Sequence, residues 1–454
     1  MSQSHEQWSS KVGFIMAAVG SAVGLANIWR FPYAAGSNGG GAFVFIYIAA
    51  ILCVVMPILM AELLVGRRGQ LSPPNAIAAV AKEAGASPHW RWMGLVGVIA
   101  AILIFSFYSV VGGWTLAYVF KAGSGELVNA NLESIQGTFD GLNASAGGLF
   151  TWASCFLLLT VFVSARGIKA GIEKAVRILM PMLFVMLLGM VAYAAVAGDF
   201  AAAWTFLFTP DFSKVNSDVV LDAIGQAFFS IGVGITNLMA YGSYLDRKTS
   251  IPRSSATIIA ADTLVALLAG LAIFPIIFAY GMDPSGGPGL VFMALPYAFG
   301  QMPGGFFFGA LFFVLLFFAA LTSAISMMEC SVAYLREKLD LTRRNAALLS
   351  GGISWALGLL SVLSFNHLSD FHPLGMFSLF ENRTFFDLID YVTSTLIMPL
   401  SSIFVAVFAG WVLPKVITAD ELDGDSVGYR LWHFLVRYVA PLGLGAVFFS
   451  LVTA

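Results

Sequence analysis

The chain alternates long apolar stretches with short polar loops. Stretches able to cross about 30 Å of hydrocarbon cover residues 12–37, 41–66, 94–121, 148–166, 175–197, 220–243, 255–281, 304–334, 345–364, 385–413 and 430–453. This pattern predicts an all-α polytopic membrane protein with eleven transmembrane helices. The first and sixth stretches are each broken by glycines, at Gly20 to Asn27 and at Ser230 to Gly234. Lipid cannot hydrogen-bond the backbone freed by Gly20, Gly24 and Pro32, so an unwound stretch at membrane depth persists only where protein, ligand or water satisfies it. Freed carbonyls suit a small cation and freed N–H groups an anion. The glycines alone fit a kinked helix packed through small residues equally well. Asn27 and Arg30, a few residues further on, point instead to a binding site.

Composition agrees with a membrane protein: 59% of the 454 residues are hydrophobic and 11% charged, against roughly 25% charged in soluble domains. A net charge of −2 argues against nucleic acid as a partner; membrane lipid is the expected surroundings. Alternate loops take nearly all the positive charge, through Arg67, Arg68, Lys82 and Arg91, then Arg166, Lys169, Lys174 and Arg177, then Arg247, Lys248 and Arg253, then Arg336, Lys338, Arg343 and Arg344. The positive-inside rule then puts the amino terminus in the cytoplasm, and an odd number of spans puts the carboxyl terminus outside. The first stretch is expected to be a span rather than a removable signal peptide. Cys53, Cys155 and Cys330 lie in apolar runs without metal-ligand or redox spacing and read as small core residues. Clustered metal ligands, a nucleophile elbow and a phosphate loop are missing from the sequence, so an enzyme is disfavoured.

The broken stretches stand five apart. That spacing predicts two inverted repeats, 12–197 (helices 1–5) and 220–413 (helices 6–10), with 430–453 as an added helix 11, all in one transporter domain over 1–454, and a site at the repeat interface near the midplane.

Several ordered motifs then carry a resemblance. Trp8, the run Gly20 to Tyr33, Asn38-Gly-Gly-Gly-Ala-Phe43, Glu62 before Gly66-Arg67, Tyr108 before Trp114-Thr115, Gln226-Ala-Phe-Phe-Ser230 and Ala320-Leu-Thr-Ser323 resemble the neurotransmitter:sodium symporter family, in particular its bacterial leucine and hydrophobic amino acid transporters. The resemblance spans essentially the whole chain and implies sodium-driven uptake across the bacterial inner membrane, with two sodium ions expected and no organic cofactor.

Sodium requires hard oxygen ligands. The resemblance implies one site from the Ala22 carbonyl, Asn27, Ser230 and Asp262, and a second from the carbonyls of Gly20, Val23 and Ala319 with the hydroxyls of Thr322 and Ser323. Back-bonding of Thr322 and Ser323 to their own helix is the competing fate. Asp262 lies in an apolar run, where a charge costs a few kcal/mol unless partnered. Either it is the fixed negative charge that makes transport chloride-independent, with Tyr47, Gln226 and Ser230 lining a remnant anion pocket, or it is a protonated buried acid.

By the same resemblance the substrate pocket contains Ala22, Leu25, Ala26, Ile104, Tyr108, Phe229, Ser230, Gly232, Ile235, Ser323 and Met327. A ligand carboxylate would meet the N–H groups of Leu25 and Ala26 and the Tyr108 hydroxyl, and an amine the carbonyls of Ala22, Phe229 and Ser230. Monoamine carriers have an aspartate where this chain has Gly24, which favours a substrate bringing its own carboxylate. Gly232, Ile235 and Met327 form an expected apolar wall suited to a neutral, hydrophobic amino acid, although Gly232 could equally serve backbone geometry. Ala26 replaces a common glycine.

Arg30 and Asp390, with Asp387 as the rival partner, are the expected outer ion pair above a lid of Tyr108 and Phe229. Trp8, Ser243, Tyr244 and Glu337 match the inner gate, where His5 replaces the usual arginine and either a pH-sensitive latch, Lys11 or a bare terminal residue results. Gly171 and Pro181 fit either an unwinding fifth helix or a static kink. Glu62 is expected to cap backbone freed in the sixth stretch, and Glu329 has no evident partner. The expected activity is sodium-coupled symport by alternating access. A ligand-gated channel or sensor, or a sodium-independent amino acid exchanger on the same fold, are the alternatives.

Overall fold

The structure is a computed structural model that describes residues 6–284, 289–422, 424 and 426–453. Among the described residues every regular element is helical. Nine helices among the described residues are long and apolar enough to cross a membrane unbroken. In chain order the elements are α1 (Lys11–Ala22), α2 (Phe31–Ser37), α3 (Gly41–Gly69), α4 (Pro73–Glu83), α5 (Pro88–Gly123), α6 (Leu132–Ala144), α7 (Ala146–Ala165), α8 (Ile168–Ala197) and α9 (Phe200–Phe208). The second half holds α10 (Ser217–Ile231), α11 (Asn237–Ser243), α12 (Ile251–Ala279), α13 (Leu290–Gln301), α14 (Gly305–Leu339), α15 (Arg343–Leu363), α16 (Phe385–Val412), α17 (Lys415–Glu421) and α18 (Val427–Thr453).

Both expected breaks are present. The first stretch is split between α1 and a widened turn over Ala26–Arg30 that runs into α2, the halves bent by 49°. The sixth is split into α10 and α11, of 15 and 7 residues. At about 1.5 Å per residue neither half alone crosses the hydrocarbon. Thus each apolar stretch in the sequence becomes one helix or one broken pair, although α5 and α8 begin six or seven residues earlier than hydropathy suggests. Helix starts follow local chemistry: Ser10, Asn131, Ser145, Asp199, Asn216, Thr342 and Ser426 each turn a side-chain oxygen onto a first-turn N–H.

The long α14 packs along α5, α1 lies against α14, α12 and α8, and α11 lies on α3. At their common centre stand polar side chains that hydrocarbon alone would exclude: Asn27, Glu62, Asp262 and Glu329 are fully buried, and Thr322 and Ser323 nearly so. The freed backbone of the sixth span is met by protein, as expected for Glu62: its Oε1 accepts the Gly234 N–H at 2.7 Å.

Candidate transport site

Past Ala22 the backbone turns extended at Val23 (φ −69°, ψ 106°) before helix resumes. Asn27 holds this break together. Its Oδ1 accepts the Gly24 N–H at 3.0 Å, and its Nδ2 donates to Ser230 Oγ at 2.9 Å and to Asp262 Oδ1 at 2.8 Å. The Asp262 carboxylate also accepts the Ser230 hydroxyl at 2.8 Å and the Tyr47 hydroxyl at 3.2 Å. Three residues, from the first break, α3 and α10, therefore converge on one carboxylate of α12. Among the described residues no lysine or arginine pairs with it, and its three partners are neutral donors. Gln226 borders the cluster, donating to the Ala26 carbonyl at 2.9 Å and leaving its Oε1 buried without a partner.

The second expected set also converges. Ser323 Oγ faces the carbonyls of Gly20 (3.5 Å), Ser21 (3.3 Å) and Val23 (3.3 Å). Thr322 Oγ1 donates to the Phe318 and Ala319 carbonyls of its own helix, each at 3.1 Å. Back-bonding thus occurs at Thr322, while Ser323 turns to the broken span. A hydroxyl that donates keeps lone pairs for a cation, so the carbonyls of Gly20, Val23 and Ala319 and both hydroxyls remain a hard-oxygen set suited to sodium. Packing is close here: a Cβ on Gly20 would stand 3.2 Å from Thr322 Cβ.

Around these groups lie the expected pocket residues. Ala22, Leu25, Ile104, Ile235 and Met327 are buried, and Ala26, Tyr108 and Phe229 are half-buried. The Tyr108 hydroxyl is enclosed beside the Leu25 N–H and the Ser323 hydroxyl yet completes no hydrogen bond. A Cβ at Gly24 would come within 2.5 Å of Ser323 Oγ and 3.6 Å of that hydroxyl. A side chain there would displace the Ser323 hydroxyl. Gly232 adopts φ +68° as the residue that ends α10, so backbone geometry accounts for the glycine.

The expected apolar wall has a polar floor that the sequence reading missed. Asn237 Nδ2 donates to Ser21 Oγ at 2.8 Å, Ser21 Oγ to Ser326 Oγ at 2.9 Å, and Ser326 Oγ to the Ser323 carbonyl at 2.8 Å. The available signal was two polar residues next to the break positions, Ser21 and Asn237, and Ser326 three residues after Ser323 in an otherwise apolar run.

At the expected outer end Arg30 is exposed. Its guanidinium sits 3.8 Å from the Phe229 ring centroid. Asp390 is the carboxylate that acts on it most strongly, but the two form no ion pair; Asp390 accepts the Ser394 hydroxyl at 2.7 Å. The rival Asp387 is spent on a capping box with Thr384 at the start of α16.

On the inner side Trp8 donates from Nε1 to the Tyr241 carbonyl at 3.1 Å and from its backbone N–H to the Tyr244 carbonyl at 3.3 Å. Its indole meets both tyrosine rings edge-on. Glu337, also expected at the inner gate, accepts the Ser72 N–H at 2.7 Å, the Ser72 hydroxyl at 2.5 Å and the Asn75 amide at 2.7 Å at the start of α4, whose first two residues are prolines without an N–H. Glu329 has partners after all: the Tyr244 hydroxyl donates to it at 2.6 Å and Arg343 at 2.5 Å and 3.1 Å, and Arg343 also pairs with Glu6 at 2.9 Å. His5 lies outside the described residues.

Comparison with known proteins agrees with this arrangement. A family model described as "Sodium:neurotransmitter symporter family" matches residues 5–138 and 133–453. The chain is 38% identical to the uncharacterized sodium-dependent transporter YhdH of Bacillus subtilis, over 98% of this chain and 97% of that one. It is 32% identical to an uncharacterized sodium-dependent transporter of Haemophilus influenzae, over 98% of both. Among solved structures it is similar to MhsT in complex with L-phenylalanine, with a TM-score of 0.87 and 40% identity over 98% of this chain and 99% of that one.

Proposed function

This chain belongs to the sodium:neurotransmitter symporter family, multi-pass sodium-dependent transporters rather than enzymes, and on that premise we propose that it imports a neutral, hydrophobic amino acid by sodium-coupled alternating access without needing chloride. The observation that carries this reading is the Asn27, Ser230 and Asp262 cluster facing the break in the first span. Sodium at that cluster would be held by the Ala22 carbonyl, Asn27 Oδ1, Ser230 and Asp262, and a second ion by the carbonyls of Gly20, Val23 and Ala319 with Thr322 and Ser323. Asn27 Oδ1 would exchange its bond to the Gly24 N–H for the ion.

An amino acid carries both charges of its recognition in one backbone. Its carboxylate would take the Leu25 and Ala26 N–H groups and the Tyr108 hydroxyl, whose lack of a hydrogen bond leaves it able to donate. Its amine would meet the carbonyls of Ala22, Phe229 and Ser230. The uncharged surroundings of Ile104, Gly232, Ile235 and Met327 favour an apolar side chain, in keeping with L-phenylalanine in the MhsT structure. Arg30 over Phe229, with Asp390 as countercharge, would close the outer side, and Trp8 on Tyr241 and Tyr244 the inner. Two inverted repeats, 12–197 and 220–413, would supply the moving and static halves in the bacterial plasma membrane, with the amino terminus cytoplasmic and the carboxyl terminus outside.

The test is a thermal-shift screen of the purified protein with the twenty amino acids, betaine, taurine and GABA, with and without sodium. Stabilisation by large neutral amino acids only when sodium is present is the expected result. Stabilisation by a non-carboxylate ligand alone, or equal shifts without sodium, would overturn the reading.

A further inference from the structure

We infer that Glu173 is a positioning residue for the inner gate, a clamp that pins the amino-terminal end of α1 against α8 and so sets how readily the cytoplasmic side opens. The direction of that motion rests on the alternating-access reading above; the clamp itself rests on contacts within the chain.

Glu173 is a carboxylate with 2% of its surface exposed at the inner end of α8. Its Oε2 accepts the Ser9 N–H at 2.9 Å, and its Oε1 accepts the Ser9 hydroxyl and, at 2.6 Å, the Arg177 guanidinium. Arg177 closes the knot by donating also to the Ser9 hydroxyl at 3.1 Å and to the Ser10 hydroxyl at 2.9 Å. Ser10 is the residue that caps α1. The carboxyl group occupies the space where a Cβ on Gly13 would stand, so the first turn of α1 is shaped to receive it. A negative group at a helix amino terminus is favoured by the unpaired N–H groups and the helix dipole.

The same short segment is tied to three other elements, through Glu6 to Arg336 (3.1 Å) and Arg343 (2.9 Å) and through Trp8 to Tyr241 and Tyr244. Those ties reach α14, α15 and α11. Glu173, with its partner Arg177, ties it to α8 right at the start of α1. Swinging α1 away would strip a buried carboxylate of its two bonds to Ser9 and leave it with Arg177, which resists opening. The opposite end of α1 carries the Gly20 carbonyl, with Val23 just beyond it, facing Ser323. Inner opening and assembly of the second ion set are therefore linked through one rigid helix of 12 residues.

The experiment uses the full chain with Cys53, Cys155 and Cys330 replaced by alanine and Ser243→Cys as a reporter buried on the inner side, reconstituted and labelled with a polar maleimide over a sodium titration. With Glu173→Gln, labelling without sodium should accelerate by about fivefold or more, the lower range for coupling between sites, and the sodium concentration for half-protection should rise by a similar factor. Gly13→Ala, which displaces the carboxyl group without removing it, should shift both in the same direction, and Glu173→Asp should recover part of the effect. Sodium-free labelling of both Glu173→Gln and Gly13→Ala at the parent rate, with melting temperatures showing folded protein, overturns the clamp. Protection of the parent by sodium is a separate arm: its loss would count against sodium coupling, while the sodium-free rate difference still decides the clamp.

Discussion

Asn27 and Asp262 are joined side chain to side chain across the break in the first span, Nδ2 donating to Oδ1 at 2.8 Å. One amide thereby connects the unwound backbone at Gly24 to a buried carboxylate on α12. Asp262→Asn would remove the charge but keep the shape, leaving the hydroxyls of Tyr47 and Ser230 without an anion to meet. A halide can then take that place. We expect uptake by this variant to fall about tenfold or more in chloride-free buffer, as for loss of one charge partner worth more than ~1.4 kcal/mol, and to recover with added chloride. Chloride-insensitive uptake in the variant would refute the fixed-charge role.

Thr322 and Ser323 differ in what they bond, one its own helix and the other the carbonyls of the first break. Replacing both with alanine should raise the sodium concentration that half-saturates ligand binding by about tenfold, since each lost oxygen ligand is worth on the order of 1 kcal/mol. Ser323→Ala should account for more of the change than Thr322→Ala. Sodium dependence unchanged in the double variant would mean the second ion is held elsewhere.

Two aspartates at the start of α16 should separate cleanly. Asp387 is engaged with Thr384, so Asp387→Ala should cost about 1 kcal/mol of stability and leave uptake kinetics intact. Asp390→Ala should leave stability nearly unchanged and speed dissociation of bound amino acid, because the countercharge across from Arg30 is gone. Stopped-flow release and melting temperatures measured on the two proteins check this, and the reverse pattern would reassign the outer gate.

Glu329 is buried with Arg343 and the Tyr244 hydroxyl. Arg343→Ala should destabilise the protein by about 3–5 kcal/mol, the cost of stranding a buried charge, and Glu329→Gln in the same chain should restore part of the loss. Glu337→Gln weakens only the cap on α4 and should cost about 1 kcal/mol. Equal losses for Arg343→Ala and Glu337→Gln in chemical denaturation would contradict this division.

The helices, their order and the two broken spans were legible in the chain. Eleven apolar runs long enough for hydrocarbon leave helices as the solution for an unpaired backbone, and glycines beside Asn27 and Ser230 mark where that solution is relaxed. The resemblance in the motifs indicated which polar residues would gather, and the structure gathers Asn27, Ser230, Asp262 and Ser323 around the first break. The short helices α4, α6, α9 and α13 left no such mark, because hydropathy registers what lipid excludes and these elements pack on protein or lie outside the spans.

What the sequence determined by itself was the set of polar residues an apolar chain of this kind carries inside it. Their partners were decided by tertiary structure. Glu337 and Glu329 lie eight residues apart on α14 and are both acids near the inner side, yet one caps α4 and the other pairs with Arg343 and Tyr244. Asp387 and Asp390 are three apart, yet one caps α16 with Thr384 and the other accepts the Ser394 hydroxyl. A carboxylate inside a membrane protein must find donors, and which donors lie within 3 Å depends on helices far apart in the chain: 164 residues separate Ser9 from Glu173. Hydropathy and motif spacing describe one helix at a time, so the pairing that gives each charge its role arises only when the helices pack.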